Sequence, residues 1–222
     1  MSNYDLASVG GGVAGSTLAV VMARRHARVL VLERETEFRD RVRGEALFHW
    51  GAAELESLSQ RRTLLSTCAT ENRWWDDFLG AEQIGHRDTA AETPGGVATV
   101  TFYHPAMQTV LLEAAVAAGA EVRRGVTVCG VAAGPRPRVT FTWRDGTESI
   151  NARLIAGSDG RSSLTRGRAG FDLQRDPSRL RIAGVLFDGM TAAPPDTTRM
   201  VIQPELGQSA ILIPQGGGRV RT

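Results

Sequence analysis

Three glycines near the start of the chain have the spacing of a phosphate-binding turn. Gly10, Gly12 and Gly15 match the pattern GxGxxG. The first glycine permits a tight turn, the second lets a pyrophosphate approach the backbone, and the third lets the following helix pack closely. Val13 and Ala14 belong to the same candidate site, beside a helix start whose unpaired N–H groups and dipole favour negative charge. The pattern predicts a pyrophosphate site, with a purely structural glycine turn as the alternative.

A carboxylate about 20 residues after the turn could accept the hydroxyls of a ribose. This residue is Glu33, which ends a strand predicted over Ala27–Leu32. A strand at Tyr4–Val9 and a helix at Ser16–Arg25 complete the strand–turn–helix–strand context that a dinucleotide fingerprint requires. Glu33 would repel a 2′-phosphate and so disfavours tightly bound NADP, and Arg34 is either solvated or beside the adenine.

The middle of the chain does not continue as a simple repeat of this unit. Residues 38–48 are rich in arginine, residues 49–65 look helical, and residues 71–103 contain strand-like pieces. A proline near its start and a regular apolar stripe predict a helix over Pro105–Ala118. Further strands follow, and Asp145–Gly146 is predicted to form a hairpin turn between two of them.

A second loop with candidate chemistry follows an apolar strand that ends near residue 156. This loop, Gly157–Arg166, contains Asp159 and Gly160 and precedes a short predicted helix. Taken alone, the segment fits an N-capped helical turn as well as a ligand-binding loop. Its order and distance relative to the glycine turn favour the ligand-binding interpretation.

Together, the glycine turn, the arginine-rich segment and the Asp159 loop resemble the corresponding segments of the group A flavoprotein monooxygenases, the p-hydroxybenzoate hydroxylase-like family. The resemblance implies that the glycine turn and Glu33 bind the ADP half of FAD. It implies that Arg43, before Gly44, lies beside the pyrophosphate and guides the pyridine nucleotide. It also implies that Asp159 and Gly160 approach the FAD pyrophosphate and take part in the use of NADH or NADPH.

Two further cofactor contacts are implied by the same resemblance. His104 stands where the family usually has arginine or glutamine on the flavin side of the cofactor, and Val128 would meet the adenine through its backbone. No catalytic residue is assigned, and the four histidines show no metal-ligand spacing. His49 and Trp50 could line the flavin side, although core packing is favoured for both. The adjacent tryptophans Trp74 and Trp75 are likewise expected to pack.

The fold class that the resemblance implies is α/β, with a Rossmann-like FAD-binding domain of the GR2 type and a β-sheet substrate domain. The FAD-binding domain is predicted to span residues 1–70 and 104–178, and the substrate domain residues 71–103 and 179–222. A later family signature that binds the ribityl chain does not occur in this sequence. The chain is therefore expected to be truncated at its C-terminus and to bind FAD weakly.

The resemblance implies an enzyme in which NADH or NADPH transiently reduces FAD. O₂ then adds to the flavin to give a hydroperoxide, and one oxygen atom passes to an aromatic or polyketide-like small molecule. A flavin-dependent reductase or halogenase of the same superfamily is an alternative, although the sequence lacks both lysine and the halogenase Trp-x-Trp-x-Ile-Pro segment. An inactive truncated FAD-binding module is the other alternative.

Composition excludes several other classes of function. The net charge is only +2, and no basic run is interleaved with aromatic residues, which argues against nucleic acid as a partner. No apolar run approaches the roughly 20 residues that a membrane span needs. The two cysteines, Cys68 and Cys129, lack CxxC spacing, which favours a reducing cytoplasm. The oligomeric state is not predicted.

Overall fold

The structure is a computed structural model that describes residues 4–41, 44–177, 179 and 182–222. In chain order its strands are β1 (Tyr4–Val9), β2 (Val29–Glu33), β3 (Ala46–Leu47), β4 (Ala69–Asn72), β5 (Trp74–Leu79), β6 (Glu82–Asp88), β7 (Thr99–Phe102), β8 (Glu121–Arg124), β9 (Thr127–Ala132), β10 (Arg138–Trp143), β11 (Gly146–Gly157), β12 (Leu186–Asp188), β13 (Thr197–Gln203), β14 (Gln208–Pro214) and β15 (Arg219–Arg221). The α-helices are α1 (Val13–Ala23), α2 (His49–Ser57), α3 (Arg61–Leu65), α4 (His104–Ala117) and α5 (Leu164–Arg168). Short 3₁₀ helices cover Thr89–Glu92 and Pro204–Leu206. None of the described helices combines the length and the apolar character that crossing a membrane requires.

The chain divides into two compact units, each made from two separate stretches of sequence. Unit 1 comprises Met1–Arg39 and Gln108–Pro177, and unit 2 comprises Asp40–Met107 and Ser178–Thr222. The helix α4 belongs to unit 2 up to Met107 and to unit 1 from there on. Which residues make up each functional domain stays a prediction.

Unit 1 is built on a six-stranded sheet with the order β8-β2-β1-β11-β10-β9. The strands β8, β2, β1 and β11 are parallel neighbours, whereas β10 and β9 continue the sheet in antiparallel fashion. The twelve-residue β11 joins the two parts, since its first half pairs with β10 and its second half with β1. The register sets Val9 opposite Gly157, so β1 and β11 end side by side.

Two apolar clusters hold unit 1 together. The cluster that includes α1 and the later turns of α4 contains Leu6, Ala19, Val20, Ala23, Val29, Val31, Leu112, Ala115 and Ala120. The second cluster contains Ala7, Val9, Leu30, Leu32, Val126, Val139, Phe141, Ile150 and Ala152. Because neighbouring residues of β1 and β2 alternate between the two clusters, both strands are buried on both faces, as central parallel strands are.

Unit 2 contains two sheets. The larger has the order β12-β15-β14-β13-β5-β6, in which only the β13–β5 pair is parallel, and the smaller is the antiparallel set β3-β7-β4. The helix α2 packs against β3 and β7, and α3 follows it. Among the described residues, the fully or nearly buried apolar side chains of this unit are Ala52, Leu55, Leu64, Ala98, Val100, Phe102, Met107, Ala193 and Val220.

Most predicted elements are present, but two local details differ from the expectation. The helical character expected of residues 49–65 is confirmed, but it is divided between α2, which ends at Ser57, and α3, because Ser59 adopts a left-handed conformation with φ of 56°. The hairpin between β10 and β11 is confirmed, but its turn lies one residue earlier. Arg144 has φ of 54°, and Gly146 already pairs with Trp143.

Candidate functional site

Two glycines of the N-terminal turn are required by the packing of unit 1 itself. Gly10 has φ of 103°, and a Cβ there would lie 2.3 Å from the carbonyl oxygen of Ser158. A Cβ on Gly15 would lie 2.0 Å from the carbonyl oxygen of Gly10 and 2.8 Å from Oγ of Ser8. Both distances are far below any normal contact, so a side chain at either position would displace the turn. Gly10 and Gly15 therefore serve the fold.

Gly12 differs from these two glycines because the protein itself does not need it. Its φ of −73° is ordinary, and a Cβ there would meet only Nε2 of Gln108, at 3.9 Å, among the described residues. Gly12 is the N-cap of α1 and forms no side-chain cap. The N–H groups of Val13 and Ala14 belong to the first turn, where they have no partner within the helix. The turn thus presents backbone donors beside a space that any side chain would fill, which fits a pyrophosphate.

Glu33 connects the end of β2 to this turn. Its side chain is buried, and Oε2 accepts a hydrogen bond from the N–H of Gly11 at 2.6 Å. Oε1 accepts from the N–H of Glu35 at 2.8 Å. A carboxylate offers about four lone-pair positions, so each oxygen keeps one for a further donor. Glu33 therefore fixes the turn and still retains the capacity to accept two ribose hydroxyls.

The second candidate loop lies directly against the glycine turn. The N–H of Ser158 donates to the carbonyl oxygen of Val9 at 2.8 Å, and Ser158 is the residue that a Cβ on Gly10 would strike. This proximity arises because β1 and β11 are parallel neighbours that end together. In open α/β sheets, ligands bind beyond the carboxyl ends of the strands. Two motifs almost 150 residues apart in the sequence thus meet where a dinucleotide would be expected.

Asp159 uses its carboxylate within its own loop. Oδ1 accepts a hydrogen bond from Oγ of Ser163 at 2.5 Å, while Oδ2 accepts from the N–H of Thr165 at 3.0 Å and from its hydroxyl at 3.2 Å. Burial raises the pKa of Asp159, but these hydrogen bonds outweigh it and leave the pKa below its ordinary value. Gly160 next to it has φ of 78° and open space around its Cβ position. The loop therefore has the form of the N-capped turn, with Gly160 free to approach a ligand.

Two other predicted contacts of unit 1 lie on its surface or in its sheet. The side chain of Arg34 is 70% exposed, and Nη2 pairs with Oε1 of Glu35 at 3.3 Å. Val128 lies in β9 at the edge of the sheet, opposite Phe141, and packs against the second apolar cluster. Neither position tests a role in binding adenine, and both roles stay predictions.

The remaining predicted residues belong to unit 2. Arg43 lies outside the described residues. His104 begins α4, and its Nδ1 lies 2.7 Å from the carbonyl oxygen of Gly44, which ties the helix start to the residue after Arg43. Glu45 is buried beside it, where Oε2 accepts a hydrogen bond from Nε2 of Gln215 at 2.5 Å and Oε1 lies 3.6 Å from Nη2 of Arg221. Burial raises the pKa of Glu45, although the Arg221 guanidinium acts in the opposite direction.

Sequence reasoning missed three residues of the site. Gly11 supplies the N–H that fixes Glu33, Ser158 supports Gly10, and the amide of Gln108 lies beside Gly12. The sequence carried a usable signal only for Gln108, a polar residue in the first turn of the helix predicted over Pro105–Ala118. The other two contacts depend on the strand order, which the sequence does not state.

The chain matches the family described as FAD binding domain over residues 3–221. It is similar to a rifampicin monooxygenase of Streptomyces venezuelae, with 31% identity over 98% of this chain and 44% of that protein. It is similar to an aklavinone 12-hydroxylase of Streptomyces peucetius, with 29% identity over 88% of this chain and 44% of that protein. The chain thus spans a little under half the length of these relatives.

The fold of the chain is similar to that of a solved structure, p-nitrophenol 4-monooxygenase from Pseudomonas putida. The TM-score is 0.78 and the sequence identity 19%, over 98% of this chain and 56% of the other. A likeness at this level of sequence identity supports a conclusion about the fold alone. The α/β fold class predicted from the sequence is confirmed by this likeness and by the sheet of unit 1.

Proposed function

This chain belongs to the FAD binding domain family, among the group A flavoprotein monooxygenases, and on that premise we propose what it does. The family and the cofactor FAD, both predicted from the sequence, are confirmed by the match over residues 3–221. In our proposal, unit 1 holds the ADP half of FAD within an NADH- or NADPH-dependent monooxygenase. That enzyme uses O₂ to hydroxylate an aromatic or polyketide-like small molecule.

One observation carries the proposal: a cradle at Gly12 that a Cβ would fill, next to the buried carboxylate of Glu33. The N–H groups of Val13 and Ala14 would hold the pyrophosphate, aided by the dipole of α1. Glu33 would accept the ribose hydroxyls through the lone pairs that Gly11 and Glu35 leave free. These residues bind and orient the cofactor and supply no proton transfer of their own.

The cofactor supplies the redox chemistry when bound, by taking electrons from NAD(P)H and activating O₂ for transfer to the substrate. Within that scheme, Arg43 and His104 are proposed to contact the cofactor, and Asp159 is proposed to act indirectly by fixing the loop that brings Gly160 close. Arg34 and Val128 are proposed to flank the adenine. The relatives are a monooxygenase and a hydroxylase, which favours this activity over a reductase or a halogenase. Dependence on NAD(P)H is consistent with a cytoplasmic location.

The proposal is tested by two measurements on the same preparation. The chain is equilibrated with FAD across a dialysis membrane and the bound flavin is measured; weak but saturable binding is expected. Oxygen uptake with NADH or NADPH is then measured with and without phenolic compounds, and uptake that such a compound stimulates would identify a monooxygenase. Retained flavin without any such uptake would instead support the FAD-binding module that lacks activity. Failure to retain flavin at all would contradict the proposal.

A further inference from the structure

Unit 2 carries three aromatic rings that the fold leaves partly in solvent; Phe48, Trp50 and Trp75 are called here the aromatic platform. The rings of Phe48 and Trp50 are stacked, with centroids 5.0 Å apart and planes 23° apart, and the ring of Trp75 lies 5.9 Å from that of Phe48. Trp50 is nevertheless 61% exposed and Phe48 40% exposed. Single exposed apolar residues are common, whereas contiguous exposed patches mark binding surfaces. The platform is therefore a candidate site for a ligand.

Polar neighbours hold the inner ring of the platform in place. The indole N–H of Trp75 donates to Oδ1 of Asp77 at 2.8 Å, and the Arg87 guanidinium lies over the Trp75 ring, 5.5 Å from its centroid. Arg87 also lies 3.7 Å from a carboxylate oxygen of Asp77 and 3.1 Å from one of Glu92. Side chains that are already ordered lose little entropy when a ligand binds. Trp75 is thus preorganised.

The charges around the platform indicate which ligand it suits. Arg87 is paired with two carboxylates, so it offers little to an anionic ligand. The rings of His49 and Trp50 are nearly perpendicular, with centroids 4.7 Å apart, and Nε2 of His49 lies 3.3 Å from Oε2 of Glu92. The platform therefore combines flat apolar rings with a charge-balanced border. This combination favours an uncharged planar ring system, which stacks on aromatic faces with centroids about 4.5–7 Å apart.

We propose that the aromatic platform binds the planar ring system of the small-molecule substrate, which stacks on the exposed part of the Trp50 ring. This inference rests on the proposed function, because that function supplies an aromatic substrate. Ring stacking beyond simple area burial corresponds to an affinity gain of about 2- to 13-fold. Loss of the whole Trp50 ring also removes the apolar area that the ligand would bury, so Trp50→Ala is expected to weaken binding by more than about 2-fold.

Trp74 provides a matched control, because it is the neighbour of Trp75 in β5. Successive residues of a strand point to opposite faces, and Trp74 stacks on His86 instead, with centroids 4.6 Å apart and planes 16° apart. The probe is 2-naphthol, and its saturated analogue decahydro-2-naphthol has a similar size and one hydroxyl but no flat ring. Equilibrium dialysis measures the binding of both compounds to the chain without FAD. The variants are Trp50→Ala, Trp50→Phe and Trp74→Ala, each checked for folding by its thermal unfolding midpoint.

The expected result is saturable binding of 2-naphthol that exceeds binding of the saturated analogue. Trp50→Ala should weaken that binding, Trp50→Phe should restore part of it, and Trp74→Ala should leave it unchanged. Equal binding of the two alcohols, or equal losses in Trp50→Ala and Trp74→Ala, would overturn the inference. Concentration-dependent dimerisation that Trp50→Ala abolishes would also overturn it, since the platform would then contact a second copy. FAD retention by unit 1 is measured separately, so a failure there is distinguishable from a failure of the platform.

Discussion

The contrast between Gly12 and Gly15 gives the sharpest prediction, because the two glycines serve different purposes three residues apart. A Cβ on Gly15 would lie 2.0 Å from the carbonyl oxygen of Gly10. Real Cβ contacts essentially never fall below 3.0 Å, so the turn and α1 must separate by at least 1 Å. Overpacking of this kind costs about 1–3 kcal/mol. For a chain of this length that corresponds to a fall in the unfolding midpoint of about 2–12 °C for Gly15→Ala.

Gly12→Ala should behave in the opposite way. The new methyl group meets only Nε2 of Gln108, at 3.9 Å. Alanine is a poorer N-cap than glycine, but it also restricts the unfolded chain, and the two effects are each below about 1 kcal/mol and oppose each other. The unfolding midpoint without FAD should therefore stay within about 2 °C of wild type. The same methyl group occupies the pyrophosphate position. An overpacking cost of about 1–3 kcal/mol there would fall on the complex and weaken FAD binding by about 5- to 150-fold.

Thermal unfolding by circular dichroism without FAD and FAD titration at fixed temperature separate the two effects. Gly146→Ala is the matched control, since a Cβ there meets nothing within 4 Å among the described residues and lies outside the turn. It should change neither quantity appreciably. If Gly12→Ala bound FAD as tightly as wild type, or if it lost stability as Gly15→Ala does, the assignment of Gly12 to the cofactor would be refuted.

Three further predictions concern the carboxylates. Glu33→Gln puts an amide where two backbone N–H groups need acceptors. Leaving one of these donors unpaired should lower the free energy of unfolding in urea by about 1–3 kcal/mol and weaken FAD binding. An unchanged FAD affinity would count against the ribose role. The pKa of Asp159 is lowered, so its contribution to stability is present above the ordinary aspartate value of 3.8 and is lost as pH falls through the lower folded-state pKa. The difference in unfolding free energy between wild type and Asp159→Asn should therefore shrink on acidification. A difference that stayed constant would contradict the role of the Asp159 carboxylate in holding this loop. The pKa of Glu45 is raised, so its contribution to stability is complete below the ordinary glutamate value of 4.5 and is lost as pH rises through the folded-state pKa. The unfolding midpoint of Glu45→Gln relative to wild type should therefore rise between pH 4 and pH 7. A difference in midpoint that did not vary with pH would refute the effect of burial on Glu45.

The N-terminal part of the fold was predictable because its signals are local. The apolar strand, the glycine spacing and the carboxylate after the second strand lie within about 30 residues, and their order already requires a strand–turn–helix–strand unit. Residues 49–65 were predicted as a helical segment because their composition favours helix throughout. Its interruption at Ser59 depends on a single left-handed residue, for which serine carries no strong signal.

The candidate site was only half visible in the sequence. GxGxxG and Glu33 could be placed on one unit, but the contact between Gly10 and Ser158 follows from β11 lying next to β1. That adjacency is a property of the sheet order and leaves no pattern in either segment. The two interpretations of Asp159 were likewise open in the sequence, since an acidic residue before a short helix serves both as a cap and as a loop residue near phosphate. In the structure Ser163 is the N-cap of α5, and Asp159 supports the cap by accepting hydrogen bonds from Ser163 and Thr165.

Competition between FAD and its two halves shows whether the chain binds FAD through the ADP half. Retention of FAD by the 222-residue chain is measured by equilibrium dialysis with ADP or FMN as the competitor. Displacement of FAD by ADP but not by FMN, together with loss of binding in Gly12→Val, is the predicted result. Displacement by FMN alone, or FAD binding that survives Gly12→Val, would show that the pyrophosphate and ribose lie away from the glycine turn and Glu33.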